Sequence, residues 1–123
     1  MKTVNEIVNV LSEQQQQLLK DTINKGYFGN DDQSFVVNGE EIEDDCDVYV
    51  TNDAKRAGHF KGREISSMFK SIYSKLCPFK TEYSNYSMGE VISHCSNWWG
   101  DNTGDVLFIR REYSTLFEEW AKQ

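Results

Sequence analysis

The stretch SFVVNGEEIEDDCDVYV, residues 34 to 50, decides how the chain is read. Asn38-Gly39 sits between two short runs that contain apolar residues. This dipeptide accepts the positive φ angles that a two-residue hairpin turn demands. The spacing predicts strands near 34–37 and 40–43. DVYV, residues 47–50, reads as a third strand, because β-branched and aromatic side chains suit a pleated surface.

The segments before the hairpin read differently. Val4, Ile7, Val8, Leu11, Leu18, Leu19 and Ile23 recur at helical spacing, which predicts a helix over 3–25. Thr3 with Glu6 forms a capping box at its start, and Gly26 is placed to end it. The four glutamines at 14–17 fall inside this helix and read as a solvated face. YFGNDDQ, 27–33, reads as a loop.

On the far side, Ile65, Met68, Phe69, Ile72, Tyr73 and Leu76 form one apolar stripe, stopped by Pro78. Ser87 with Glu90 resembles a second capping box, with Tyr86 and Val91 as its apolar staple. Val91, Ile92, Cys95, Trp98 and Trp99 would share a face of the helix that follows. GDNTGD, 100–105, reads as a turn, and VLFIR, 106–110, as a central strand. Residues 114–122 close with a short amphipathic helix carrying Leu116, Phe117 and Trp120. Strands grouped early and one strand late predict an α+β fold. It would hold a small, mostly antiparallel sheet of about four strands packed with about four helices. The 123 residues suit one domain.

Composition narrows the function. A 38% hydrophobic and 13% aromatic chain has the material for a core. There is no apolar run of about 18 residues, and MKTVNEIVNVL is too polar for a signal-peptide core. Cys46, Cys77 and Cys95 are odd in number and widely spaced, which suits free thiols in a reducing compartment. The expectation is a soluble, cytoplasmic protein without a cofactor.

Charge is distributed unevenly. The net formal charge is -7. Residues 26–54 hold nine acids and no lysine or arginine, whereas 55–80 hold seven bases and one acid, Glu64. Two binding surfaces follow from this polarity. In the first, Glu40, Glu41, Glu43, Asp44, Asp45 and Asp47 face outward and dock on a basic partner, with Trp98 and Trp99 as aromatic anchors. Carboxylates spaced along strands imitate the phosphates of a duplex, so the partner would be a nucleic-acid-binding protein. In the second, Lys55, Arg56, His59, Lys61 and Arg63 form an anion site for nucleic acid or another phosphate-bearing ligand. Gly58 and Gly62 permit close backbone approach there, but GHFKGRE matches neither a Walker loop nor a dinucleotide loop. A third arrangement leaves neither surface: the two segments lie side by side and neutralise each other.

Chemical motifs are weak. His59 and His94 are the only histidines, and the cysteines lack the paired spacing of a zinc site. The loop from Asp101 has Val106 where a calcium-binding EF-hand needs glycine. Cys95 lies among apolar residues, which suits an inert thiol better than a nucleophile. The expectation is therefore a non-enzymatic, macromolecule-binding protein, acting as an acidic regulator or inhibitor of the kind carried by phages and other mobile elements. A small enzyme whose site assembles only in the fold is the remaining alternative.

Overall fold

The computed structural model describes residues 2–25, 27, 29–50, 58–82, 86–96 and 105–123. The hairpin turn is where the sequence places it. Asn38 and Gly39 take φ angles of 52° and 81°, the pair of positive values that matches the twist of the flanking strands. Strand β1 (Gly29–Val37) pairs antiparallel with β2 (Glu40–Val50) through nine consecutive pairs, from Val37↔Glu40 to Gly29↔Val48. The strands expected at 40–43 and 47–50 are therefore one strand, and 29–33 is strand where a loop was expected. The acid-rich segments lack strand-forming composition, so only the ladder across the hairpin reveals them as strands.

Among the described residues the sheet has six strands, not about four, in the order β1-β2-β6-β5-β4-β3, and every pairing is antiparallel. VLFIR belongs to β6 (Asp105–Arg110), which lies between β2 and β5 (Ile92–Ser96). Val106, Leu107, Phe108 and Ile109 are all fully buried, because β6 is covered on both faces. The helix expected from Ser87 does not form. Tyr86–Met88 is β4, which joins β5 on one side and the short β3 (Phe79–Lys80) on the other. A strand buried on both faces loses its alternation, so Val91, Ile92 and Cys95 imitate helical spacing. Gly89 lies in the connection from β4 to β5. A Cβ there would lie 2.3 Å from the Leu76 carbonyl oxygen and 2.6 Å from that of Ile92.

The N-terminal helix is also interrupted. It forms α1 (Val4–Val8) and α2 (Glu13–Asn24). Thr3 caps α1 by accepting the Glu6 amide at 3.2 Å. Ser12 and Gln15 form a reciprocal capping box at the start of α2, which ends the first helix before it. The glutamines are not simply a solvated face. Gln15 is buried, donates to Ser71 Oγ at 2.9 Å and accepts from Lys75 Nζ at 3.0 Å. Gln16 donates to the carbonyls of Val8 and Leu11 in the break.

Helix α3 (Gly58–Leu76) ends just before Pro78, and α4 (Arg111–Ala121) follows directly from β6. The four described helices pack on one face of the sheet. Val8, Leu19, Phe69, Ile72, Phe117 and Trp120 meet Tyr49 of β2, Ile92 of β5, and Leu107 and Ile109 of β6. Burying a side chain of this size contributes about 1.5–3 kcal/mol, which makes this layer the main stabilising element.

A second cluster lies on the opposite face: Cys46, Val48, Met88, Cys95, Val106 and Phe108, with Tyr86 at its margin. The Tyr86 hydroxyl donates to Gln33 Oε1 across this face. Four strand-to-strand steps separate β4 from β1. A flat sheet would hold them about 19 Å apart, beyond the joint reach of a tyrosine and a glutamine. The sheet therefore curls, and the second cluster fills its concave side.

Candidate functional site: the acidic overhang

β6 pairs with β2 only from Cys46 to Val50. Among the described residues, 40–45 of β2 have β1 as their sole strand partner, so the end of the hairpin extends past the central sheet as a two-stranded ribbon. At about 3.4 Å per residue, the overhang is roughly 20 Å long.

The acids do not form one face. Alternation puts Glu41, Glu43, Asp45 and Asp47 on the side of the sheet that Tyr49 presents to the helices. Glu40 and Asp44 fall on the other side, with Cys46. β1 adds Asp32 opposite Asp45 and Asp31 opposite Cys46. Neither Asp31 nor Asp32 belonged to the expected surface, because 27–33 read as loop. Glu40, Glu41, Glu43, Asp45 and Asp32 are exposed, while Asp31, Asp44 and Asp47 are half-buried.

Two arginines hold the root of the ribbon. Arg110 donates to Asp44 Oδ2 through Nε at 2.8 Å and Nη2 at 2.6 Å, and also pairs with Glu112 at 2.8 Å. Arg111 pairs with Asp47 at 3.4 Å. These partners come from the β6–α4 junction, which nothing in the local sequence linked to the hairpin. Further out, like charges face each other. Asp32 and Asp45 are directly opposed, and the hydrogen bond and repulsion from Asp32 raise the Asp45 carboxyl above the usual range. The strand amides of Asp32 and Asp45 donate to the side chains of Asp31 and Asp44, at 2.9 and 2.8 Å. An open depression lined by Asp32, Gln33, Ser34, Glu43, Asp44 and Asp45 crosses the ribbon.

The remaining candidates are placed less completely. Trp98, Trp99, Lys55 and Arg56 lie outside the described residues. His59, Lys61 and Arg63 lie in the first turns of α3, so 58–63 is helical backbone rather than a glycine-containing loop. The described partners of the acidic segment are Arg110 and Arg111.

The sheet separates His94 from Cys46 and Cys95, whereas Cys77 lies in the helix-side core. His94 stacks on Tyr73 on the helix side, with ring centroids 3.9 Å apart, while Cys95 packs in the concave cluster. Burial pushes the Cys46 thiol up to about 12, reinforced by Asp44 and opposed by Arg110. Burial raises Cys77 as well, and its sulfur approaches the Ile92 carbonyl at 3.2 Å. Among the described residues, no group of three or more histidine, cysteine or acidic side chains is arranged to hold a metal ion. No helix among them is long and apolar enough to cross a membrane.

No protein-family model, curated protein or solved structure matches this chain.

Proposed function

We propose that the protein acts by binding, and that its acidic ribbon docks on the cationic surface of a protein that ordinarily holds nucleic acid, as a regulator or inhibitor. The observation that carries this reading is the charge density of the overhang. Asp32, Glu40, Glu41, Glu43, Asp44 and Asp45 occupy a ribbon with no lysine or arginine of its own, and Asp31 lies at its root. Over its length that is about one carboxylate per 3.4 Å, about half the linear density of a DNA duplex with its one charge per 1.7 Å. Carboxylates on both sides of a narrow ribbon present charge in two rows, as a duplex does.

Stability alone gives no reason for the pattern. Like charges directly opposed across a hairpin are destabilising, and Asp32 faces Asp45. A cationic partner would relieve that repulsion and release its own counterions.

The test is capture of partners from a nuclease-treated lysate, with short duplex DNA as competitor. The native protein is expected to retain basic proteins that DNA displaces, with retention falling steeply as salt rises. Glu41→Gln, Glu43→Gln and Asp45→Asn together are expected to abolish retention while the fold persists. Equal capture by that triple variant, with equal salt resistance, sinks the reading. Salt-sensitive binding of oligonucleotides by the native protein would move the site to the basic stretch at 55–63.

A further inference from the structure

Among the described residues, the ribbon's outer backbone edge has no strand partner, which gives it an edge as well as charge. β1 is the terminal strand of the sheet. It runs for nine residues without a bulge or a proline. The opposite terminal strand, β3, is only two residues long, which is how a protein ordinarily limits pairing at an edge. The two-residue turn makes Val37 and Glu40 a hydrogen-bonded pair. By alternation, the backbone groups of Asn30, Asp32, Ser34 and Val36 point away from β2. The Asp32 amide is occupied by Asp31 Oδ1 at 2.9 Å. The outward amides of Ser34 and Val36 lie beyond it toward the tip, and the Val36 side chain beside them is 37% exposed.

We propose that this edge receives an extended, lysine- or arginine-bearing segment of a partner as an added β-strand. This rests on the docking role proposed above and specifies its geometry. Main-chain bonds to Ser34 and Val36 would supply affinity, and alternate side chains would supply selection. Charge chooses the occupant. A second copy would set its own acidic ribbon against this one, and like charges on adjacent strands repel. An alternating cationic strand instead sets its bases on the face of Asp31 and its apolar residues on the face of Val36.

The probe is a peptide of alternating lysine and valine, compared with a peptide of equal charge in which prolines replace the valines. Proline removes amides and prevents a continuous ladder. The alternating peptide is expected to bind at least tenfold more tightly. Ser34→Pro, which removes an outward amide without touching the β1–β2 ladder or the charge, is expected to erase that preference. Amide hydrogen exchange of Ser34 and Val36 in the native protein is expected to slow at least tenfold on binding, a readout independent of the variant's folding. Equal affinity for the two peptides, or unchanged exchange at both amides, overturns strand addition and leaves the docking role standing. If neither peptide binds while DNA-displaced proteins are still captured, strand addition alone fails. Loss of that capture too removes both ideas. Slowed exchange that tracks dimer formation without peptide overturns the proposal in favour of a second copy.

Discussion

Arg110 places two guanidinium nitrogens on one carboxylate oxygen of Asp44, at 2.8 and 2.6 Å. It does so from the last position of the central strand, so one side chain ties the acidic ribbon to the core. Arg110 also reaches Glu112 in α4, which makes it the joint between ribbon, sheet and helix. Arg110→Ala is expected to cost about 1–2 kcal/mol, the range for charge-assisted hydrogen bonds discounted for partial exposure. Urea unfolding of both proteins at low and high salt checks this. The difference should shrink as salt screens the pair.

Asp45 behaves in the opposite sense. Its carboxyl is raised in the fold by Asp32. A raised carboxyl binds its proton more tightly in the folded state, so stability is lost as pH rises through its folded titration range. Asp45→Asn is therefore expected to raise the melting temperature at pH 7. The gain should vanish in acid, below the carboxylate range. Melting curves of the two proteins across that range decide it, and a gain that persists in acid would contradict the repulsion.

Tyr86→Phe removes the hydroxyl that reaches Gln33 across the concave face. The loss is expected to be about 1 kcal/mol, with Gln33 left without that donor. Because the bond spans four strand steps, the change should also speed amide exchange in β1 more than in β6. Exchange measured strand by strand tests whether this contact helps hold the curl.

Gly89→Ala sets a methyl group against two backbone oxygens, those of Leu76 and Ile92. Backbone atoms cannot swing aside as a flexible side chain would. A loss of at least about 2 kcal/mol is expected. Thermal unfolding that matched the native protein would mean the β4–β5 connection lies elsewhere.

The thiols should be silent in the native state. Cys46, Cys77 and Cys95 are all buried. With its thiol pushed up to about 12, Cys46 is thiolate in only ~10⁻⁴ of molecules at pH 8. Alkylation at that pH is expected to leave all three unmodified, whereas in denaturant all three should react. Mass measurement of the intact chain reads this directly. Rapid labelling of Cys46 alone would place it in a more open position than the concave cluster.

Some of this architecture could be read from the chain because it is local. Asn38-Gly39 set a turn through its own dihedral preferences. Pro78 stopped α3, and VLFIR announced a central strand by being apolar at successive positions. The capping pattern Ser12-x-x-Gln15 was equally local, but the apolar series continuing through Leu11 concealed it. The segment 86–96 misled for another reason. Residues of β5 bury on alternate faces, Ile92 toward the helices and Cys95 toward the concave side, so no period of two survives.

The candidate site divides in the same way. That positive and negative charge occupy successive segments is a property of the chain, visible without any structure. Whether the acids share one face, and which cations meet them, was decided by register and strand pairing. β-pleating splits 40–47 between two sides, the ladder across the turn brings Asp32 to Asp45, and closure of β6 against β2 delivers Arg110 to Asp44. The sequence alone determined the hairpin turn and the charge polarity, because each depends on residues close together in the chain. Only the tertiary structure decided the curl of the sheet, the overhang and the outer position of β1, because each depends on which distant strands find one another.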